Sequence, residues 1–222
     1  MAEALTELAR HTSSLIWCGF AFFAFWLLRD PLVHRLGEMT GLKAVGFELS
    51  FVATRLAAAA VDASRTNTVV TSTLQKRQVQ VTRGDRERVL RRAERCRPVL
   101  EGKRVLWIDD SVTNNRKEHE LPEGLGLKVE QVQSNAAAEQ ALGKDGGGYD
   151  LILSDIARPD SPRAGLDFLD QYRLRGSEQT VPFILYIAAL DERRPVPAGA
   201  FGLTNRPDAL LHLVIDALER TD

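Results

Sequence analysis

The stretch Val-Leu-Trp-Ile-Asp-Asp-Ser, residues 105–111, decides the fold that we expect for this chain. Its four apolar residues end in two adjacent carboxylates, Asp109 and Asp110. A short apolar run that ends at a polar break predicts a strand buried in a parallel sheet. In an open α/β sheet, ligands bind at the carboxyl ends of the strands. We therefore expect a ligand or cation site where this strand ends.

Apolar strands and helical stretches alternate from this point to the end of the chain. The predicted strands are Val105–Ile108, Leu127–Val132, Leu151–Leu153, Phe183–Ile187 and a short one at Phe201–Leu203. The predicted helices are Asn114–Glu120, Asn135–Leu142, Leu166–Leu174 and Pro207–Leu218. This alternation predicts an α/β fold, a doubly wound parallel sheet of five strands with helices on both faces.

A third carboxylate, Asp155, follows the third predicted strand. The ends of parallel strands meet at one edge of the sheet, so Asp155 is expected near Asp109 and Asp110. Three carboxylates suit a hard divalent cation, which prefers oxygen ligands. The alternative is that one acid caps a helix and another is simply exposed.

These residues resemble the receiver domains of two-component response regulators, a flavodoxin-like fold, over residues 103–220. The resemblance rests on Val-Leu-Trp-Ile-Asp109-Asp110-Ser, Tyr-Asp150-Leu-Ile-Leu-Ser-Asp155-Ile-Ala-Arg-Pro159, Gly165-Leu166, Val-Pro182-Phe-Ile-Leu-Tyr, and Gly199-Ala200 continuing to Arg206-Pro207. It implies that Asp109, Asp110 and Asp155 bind Mg²⁺. It also implies that Asp155 accepts a phosphoryl group from a histidine kinase.

The chain departs from the family at the positions that carry the switch. Ile187 stands where the family has a Ser or Thr that contacts the phosphoryl group, and isoleucine cannot donate a hydrogen bond. Arg206 replaces the family's lysine, and Leu203 replaces its aromatic switch residue. Pro195 and Pro197 predict a loop in place of the fourth helix. The resemblance therefore implies an atypical receiver, or pseudo-receiver.

An uncharged run of seventeen residues, Thr12–Leu28, lies near the start of the chain. A membrane-spanning helix needs roughly 17 to 25 mostly apolar residues. Aromatic residues are distributed along the run and near its ends, where they favour contact with lipid: Trp17, Phe20, Phe23 and Trp26. We predict a transmembrane anchor over residues 1–30. The alternative is a helix buried in a soluble core or in an oligomer.

Flanking cations predict the orientation of this anchor. Arg29, Arg35 and Lys43 follow the run, whereas Arg10 and the amino terminus precede it. The positive-inside rule then places the later residues in the cytoplasm. We expect a single-pass protein of the bacterial inner (cytoplasmic) membrane, with the receiver-like domain in the cytoplasm. The low cysteine content fits a reducing compartment.

Residues 31–102 form a predicted linker or oligomerisation region of mixed α/β character. The pattern predicts a half-buried strand over 45–51, a short helix from Val52 to Ala63 and an extended stretch from Asn67 to Val81. A helix is predicted to begin after a capping box at Thr82 and Asp85 and to stop before Pro98. Because this region is too small for a strong core, we expect a homo-oligomer.

The last helix of this region has a basic face. From Lys76 to Arg97 there are nine Lys and Arg against three Asp and Glu. The favoured interpretation is a solvated helix that packs on the next domain by its apolar stripe. A contact with anionic membrane lipid is the second interpretation. Contact with nucleic acid ranks third, because the segment has no aromatic residue for base stacking.

The chain is not expected to be an enzyme. Its four histidines have no recognisable nucleophile partner and are expected at the surface or at helix ends. The predicted function of the domain at residues 103–222 is signal transduction by contact with a histidine kinase or another signalling protein, or by sensing a ligand. The alternative is a defence-type membrane effector whose domain binds a nucleotide or small ligand and reorganises an oligomer. An NAD-cleaving enzyme ranks last, because no glutamate follows a predicted strand.

Overall fold

A computed structural model describes residues 49–71, 75–110, 116–143, 146–174 and 181–221. Helix α1 covers residues 49–66. The other helices are α2 (Arg83–Leu100), α3 (Arg116–Gly124), α4 (Asn135–Leu142), α5 (Ala164–Leu174) and α6 (Pro207–Glu219). The strands are β1 (Thr68–Val70), β2 (Lys76–Gln78), β3 (Arg104–Ile108), β4 (Lys128–Val132), β5 (Leu151–Ser154), β6 (Phe183–Tyr186), β7 (Ala189–Asp191) and β8 (Gly202–Thr204).

The predicted parallel sheet of five strands is confirmed. Its strands lie in the order β4-β3-β5-β6-β8, and every neighbouring pair is parallel. The first strand of the domain is therefore flanked by the second and the third, which is the order of flavodoxin-like folds. At the carboxyl edge, Ile108 of β3 is in register with Ser154 of β5.

Alternate side chains of the central strands enter two separate cores, as the two-residue period of a strand requires. Trp107, Leu153 and Tyr186 pack on the face that α6 covers. Ile108 and Phe183 pack on the opposite face, with residues of α4 and α5. Because both faces are covered, β3, β5 and β6 are apolar along almost their whole length.

The two helices that precede the sheet pack into the first of these cores. Val52 and Leu56 of α1 are fully buried there, together with Val89 and Ala93 of α2. The interpretation of α2 as a solvated helix that packs by its apolar stripe is therefore confirmed. The apolar faces of α1 and α2 are thus covered by the large sheet and α6 of the same chain. The homo-oligomer, which was expected because residues 31–102 are too small for a strong core, stays a prediction.

The start of α2 has the predicted capping box, but its predicted end is wrong. The Thr82 hydroxyl accepts a hydrogen bond from the Asp85 amide at 3.2 Å, and the Asp85 carboxylate accepts one from the Thr82 amide at 2.9 Å. The helix continues through Pro98 to Leu100. Leu100 is fully buried, and the burial of such a side chain contributes about 1.5–3 kcal/mol, which is comparable with the roughly 3 kcal/mol that a proline inside a helix costs.

The strand predicted over 45–51 is wrong at Leu49 and Phe51, which lie in α1. Leu56, Ala59 and Ala63 continue a helical apolar spacing that begins at Val52, and this spacing outweighs the short alternating pattern before it. The remaining residues of that predicted strand lie outside the described residues. So does the predicted anchor over 1–30. No helix in the described part of the chain is both long enough and apolar enough to cross a membrane.

A second, smaller sheet joins the segment before the domain to the segment after its fourth strand. Its order is β2-β1-β7, with β1 antiparallel to β2 and parallel to β7. No helix forms between β7 and β8, where every residue is described, so the loop predicted from Pro195 and Pro197 is confirmed. The small sheet thus brings residues 66–71 to the carboxyl edge of the large one.

Candidate functional site

Asp109, Asp110 and Asp155 share one cavity of about 450 Å³ at the carboxyl edge of the large sheet. Asp109 and Asp110 follow β3, and Asp155 follows its neighbour β5. The Asp155 amide donates a hydrogen bond to the carbonyl of Ile108 at 3.1 Å, which fixes the two strand ends side by side. The structure therefore brings together the three acids that the sequence predicts for this edge.

Burial, together with the smaller effect of the charge of neighbouring Asp109, raises the pKa of Asp155 to about 6. The Ile156 amide opposes this shift by donating a hydrogen bond to the Asp155 carboxylate at 2.7 Å. Asp109 is only 1 % exposed, and His119 Nε2 lies 3.7 Å from one of its oxygens. Asp155 is therefore mostly ionised at neutral pH and becomes protonated in mildly acidic solution.

The side chains of this edge are not arranged as a finished metal site. Within the described ranges, no group of three or more His, Cys, Asp and Glu side chains is placed to hold a metal ion. One carboxylate oxygen of Asp155 is already bonded to the Ile156 amide. Binding of Mg²⁺ by these acids stays a prediction.

Arg158 is a buried cation beside the acids to which the sequence analysis gave no role. Its guanidinium donates hydrogen bonds to Ser154 Oγ at 2.9 Å and to the Asp155 carbonyl at 3.2 Å, and it also contacts the Asn135 side chain. Burial lowers its pKa, while the charges of Asp160, Asp155, Asp110 and Asp109 act in the opposite direction. Arg158 therefore supplies positive charge at the acidic edge. Periodicity gave no sign that it is buried.

Helices α1 and α3 add further polar residues to this cavity, and these too were missed. Asp62, Thr66 and Asn67 line it from the end of α1, opposite Glu118 of α3. Glu118 is 4 % exposed, and burial together with the charge of Asp62 raises its pKa to about 7. The Tyr186 hydroxyl donates a hydrogen bond to Glu118 at 3.4 Å. Sequence pattern could not reveal this wall, because it depends on where α1 packs.

The three switch-position residues do not share one site. Ile187 lines the acidic cavity and also a second cavity, which Leu203 lines with it. Arg206 points elsewhere, since its guanidinium bonds the Asp208 carboxylate at 2.7 and 3.1 Å and lies 3.2 Å from Asp85. Arg206, which replaces the family's lysine, is thus held by Asp208 at the start of α6 and by Asp85 at the start of α2.

His119 is not at the surface, contrary to the expectation for the four histidines. It is buried, and its ring stacks on Trp107 with the ring centroids 3.7 Å apart and the planes inclined by 25°. Trp107 is fully buried beneath it. The aromatic contact holds His119 on the sheet beside Asp109.

The second cavity measures about 590 Å³ and lies between the start of α5 and the segment from Ile187 to Pro197. Asp155, Ala157, Ile187 and Ala188 line both cavities, so the two meet at the ends of β5 and β6. Most of its other lining residues are apolar. Arg163, Asp191 and Arg194 are its charged residues besides Asp155.

No family model matches this chain, and no curated protein matches it. Solved structures to which it is similar include the receiver domain of a response regulator from Methylobacillus flagellatus, at 22 % identity over 53 % of this chain and 99 % of that one, with a TM-score of 0.44. A receiver domain from Methanospirillum hungatei JF-1 shares 20 % identity over 55 % of this chain and all of that one, with a TM-score of 0.42. The anti-anti-sigma factor PhyR from Bartonella quintana shares 22 % identity over 62 % and 56 %, with a TM-score of 0.46. The fold assignment rests on the strand order of the sheet itself.

Proposed function

We propose that this chain is a membrane-anchored signal-transduction protein with an atypical receiver-like domain, which acts by protein contact or by sensing a ligand. One observation carries the proposal. Asp109, Asp110 and Asp155 share a cavity, while the neighbouring strand β6 is followed by Ile187 instead of a residue with a hydroxyl group.

The ionised carboxylate of Asp155 is a suitable phosphoryl acceptor. One of its oxygens would attack phosphorus, and an O–P bond would form as the bond from phosphorus to the donor breaks, with the electron pair leaving on the donor. Mg²⁺, when bound, would neutralise charge on the transferred group. Such a group at Asp155 would find neither a hydroxyl at Ile187 nor the guanidinium of Arg206, which Asp208 and Asp85 hold. The domain is therefore proposed to signal without a movement of residues 187–203, the segment that contains the switch positions Ile187 and Leu203.

The proposed partners are membrane lipid, a signalling protein and further copies of this chain. The segment Thr12–Leu28 is proposed to cross the inner membrane, and the domain is proposed to meet a histidine kinase or another signalling protein in the cytoplasm. The basic face of α2 offers a contact for anionic lipid. The homo-oligomer is also part of this proposal.

Hydrogen exchange tests the atypical character of the domain. The full chain is compared with and without beryllofluoride and Mg²⁺, which together mimic a phosphorylated aspartate. We expect the exchange of residues 187–203 to stay unchanged. A change in this segment that disappears in Asp155→Asn would mean that the domain switches in the ordinary way. The Asp160→Asn variant, at an exposed position of the same loop, is the control.

The second candidate function is a membrane effector whose domain binds a small ligand and reorganises an oligomer. The cavity of about 590 Å³ beside Asp155 favours it, because that volume lies in the usual range of small-molecule sites. A ligand that binds this cavity and changes the mass of the assembly would support this function over signalling by protein contact alone.

A further inference from the structure

The second cavity exists because no helix follows the fourth strand of the large sheet. From Glu192 to Phe201 the chain forms turns and extended backbone, with Pro195 and Pro197 in its middle. Leu166, Ile187 and Leu203 are left half-buried beneath this loop and line the opening. The loop leaves an apolar cavity at the place where a helix would pack.

The lining of this cavity suits the body of a small apolar molecule. Its volume of about 590 Å³ lies within the roughly 300–1,000 Å³ of small-molecule sites. Apolar side chains of α5, β7, β8 and the loops next to β5, β6 and α5 form most of the wall: Ile156, Pro162, Leu166, Ile187, Leu190 and Leu203. A few charged groups interrupt this wall, as is usual in sites that orient a ligand.

Two guanidinium groups of this cavity are available to an anion. The Arg163 side chain is 64 % exposed and lies 3.7 Å from Asp167, while that of Arg194 is 83 % exposed and lies 3.7 Å from Asp191. Such long, exposed ion pairs contribute little free energy. Arg193 already binds Asp191 through two hydrogen bonds of 2.8 and 2.6 Å, so Arg194 can turn to another partner.

We propose that this cavity binds a small apolar molecule that carries a carboxylate or phosphate group. The apolar body packs on Leu166, Ile187 and Leu203, and the anionic group accepts hydrogen bonds from Arg163 and Arg194, since a guanidinium can donate two parallel hydrogen bonds to a carboxylate or a phosphate. This inference deepens the ligand-sensing role proposed above and rests on it. Because Asp155 and Ile187 also line the acidic cavity, a ligand bound in the second cavity lies beside Asp155, at the boundary between the two cavities.

Three probes with the same aromatic body and different charge test the proposal: 1-naphthoate, 1-naphthamide and 1-naphthylmethylammonium. Each is titrated into the full chain in lipid nanodiscs, and binding is followed by NMR of the isoleucine and leucine methyl groups. We expect naphthoate to bind about tenfold or more tightly than the cation, because charge-assisted hydrogen bonds contribute about 1.5–3 kcal/mol. The shifted methyl groups should be those of Leu166, Ile187 and Leu203.

Charge reversal supplies the decisive comparison. The double variant Arg163→Glu with Arg194→Glu should lose this preference and bind the ammonium probe more tightly than naphthoate. Arg83→Glu is the matched control, because the Arg83 side chain is 87 % exposed and also pairs with an acid four residues later. Equal affinity for the three probes, shifts confined to other methyl groups, or an equal effect of the control variant would overturn the proposal.

The same titration in Asp155→Asn separates this inference from phosphoryl transfer. We expect naphthoate to bind that variant no more weakly than the parent chain, since the variant removes a carboxylate that lines the cavity. Loss of binding there would place the ligand on Asp155 and overturn the proposed orientation. Failure of the hydrogen-exchange experiment alone would leave the cavity as a ligand site in an ordinary receiver.

Discussion

The side chains of Asn67 and Asn205 join the segment before the large parallel sheet to the end of the last strand of that sheet. The side-chain amide of Asn67 donates a hydrogen bond to the backbone carbonyl of Asn205 at 2.8 Å. The side-chain amide of Asn205 donates one to the backbone carbonyl of Thr68 at 2.9 Å. Both asparagines are buried. Because Asn67 also lines the acidic cavity, this pair of bonds fixes one wall of the candidate site.

We predict that Asn67→Ala lowers the free energy of unfolding by about 1–3 kcal/mol, because it leaves the buried carbonyl of Asn205 without this donor. Denaturant unfolding of the full chain measures the change. Gln75→Ala, at an exposed position after β1, serves as the control and should have little effect. In a double-mutant cycle with Asn205→Ala the two effects should be less than additive. Additive effects would show that the two asparagines act independently.

Glu118 makes stability depend on pH. Its pKa is raised from 4.5 to about 7 by burial, so the folded chain binds more protons than the unfolded chain between these pH values. Ionisation of Glu118 therefore destabilises the fold as the pH rises from about 4.5 to about 7. Asp155 acts in the same direction, because its pKa is raised from 3.8 to about 6.

We predict that Glu118→Gln stabilises the chain more at pH 8 than at pH 5, by an amount on the order of 2 kcal/mol. The glutamine keeps an acceptor for the Tyr186 hydroxyl but cannot ionise. Unfolding midpoints at the two pH values measure the difference. Glu123→Gln, at an exposed position of the same helix, is the control and should change little at either pH. If Glu118→Gln stabilises the chain equally at pH 5 and pH 8, ionisation of Glu118 does not destabilise the fold.

Gly165 allows α5 to begin against the backbone that carries Asp155. A Cβ atom at this position would collide with the Asp155 carbonyl oxygen, while the Gly165 amide donates a hydrogen bond to the Ile156 carbonyl at 2.9 Å. We predict that Gly165→Ala costs about 1–3 kcal/mol of stability, the usual range for overpacking. Gly84→Ala in α2, where a Cβ atom meets only ordinary contacts, should instead be neutral or slightly stabilising. Similar denaturation midpoints for the two variants would contradict this distinction.

The sequence was informative where one strand or one helix decides a residue's position. The ends of β3 and β5 could be predicted from apolar runs, and in a parallel sheet this places Asp109 beside Asp155. Glu118 and Arg158 could not be predicted, because a charged residue in a buried place leaves no periodic signal. Arg206 was placed at the switch position by resemblance, but its guanidinium is held by two hydrogen bonds to Asp208 and by an ion pair with Asp85 of α2, a helix that is distant in the sequence. The local elements were thus predictable, while contacts between distant segments were not.

Magnesium binding at the acidic edge gives a further prediction. A hard cation would relieve the repulsion between Asp109 and Asp155, so we expect Mg²⁺ to bind and its affinity to fall about tenfold or more in Asp109→Asn and Asp155→Asn. Isothermal titration calorimetry of the full chain measures this, with Asp160→Asn as the control. The affinity should also fall as the pH drops below about 6, because Asp155 becomes protonated there. Equal affinity in all four proteins would rule out a site at these acids.

Membrane extraction distinguishes two ways in which the chain can attach to a membrane: a spanning helix and an electrostatic contact. A helix over Thr12–Leu28 would resist extraction by carbonate, whereas an electrostatic contact through the basic face of α2 would be released by salt. We predict that the full chain stays with membranes after both washes and that a variant lacking residues 1–30 does not. The Arg88→Glu, Arg91→Glu and Arg95→Glu triple variant is the control. It removes cations from α2 but leaves Thr12–Leu28 intact, so it should remain in the carbonate pellet. If the full chain and the truncated variant are both soluble, the prediction of a spanning helix is wrong. If the salt wash releases the full chain from membranes, the contact is made by α2.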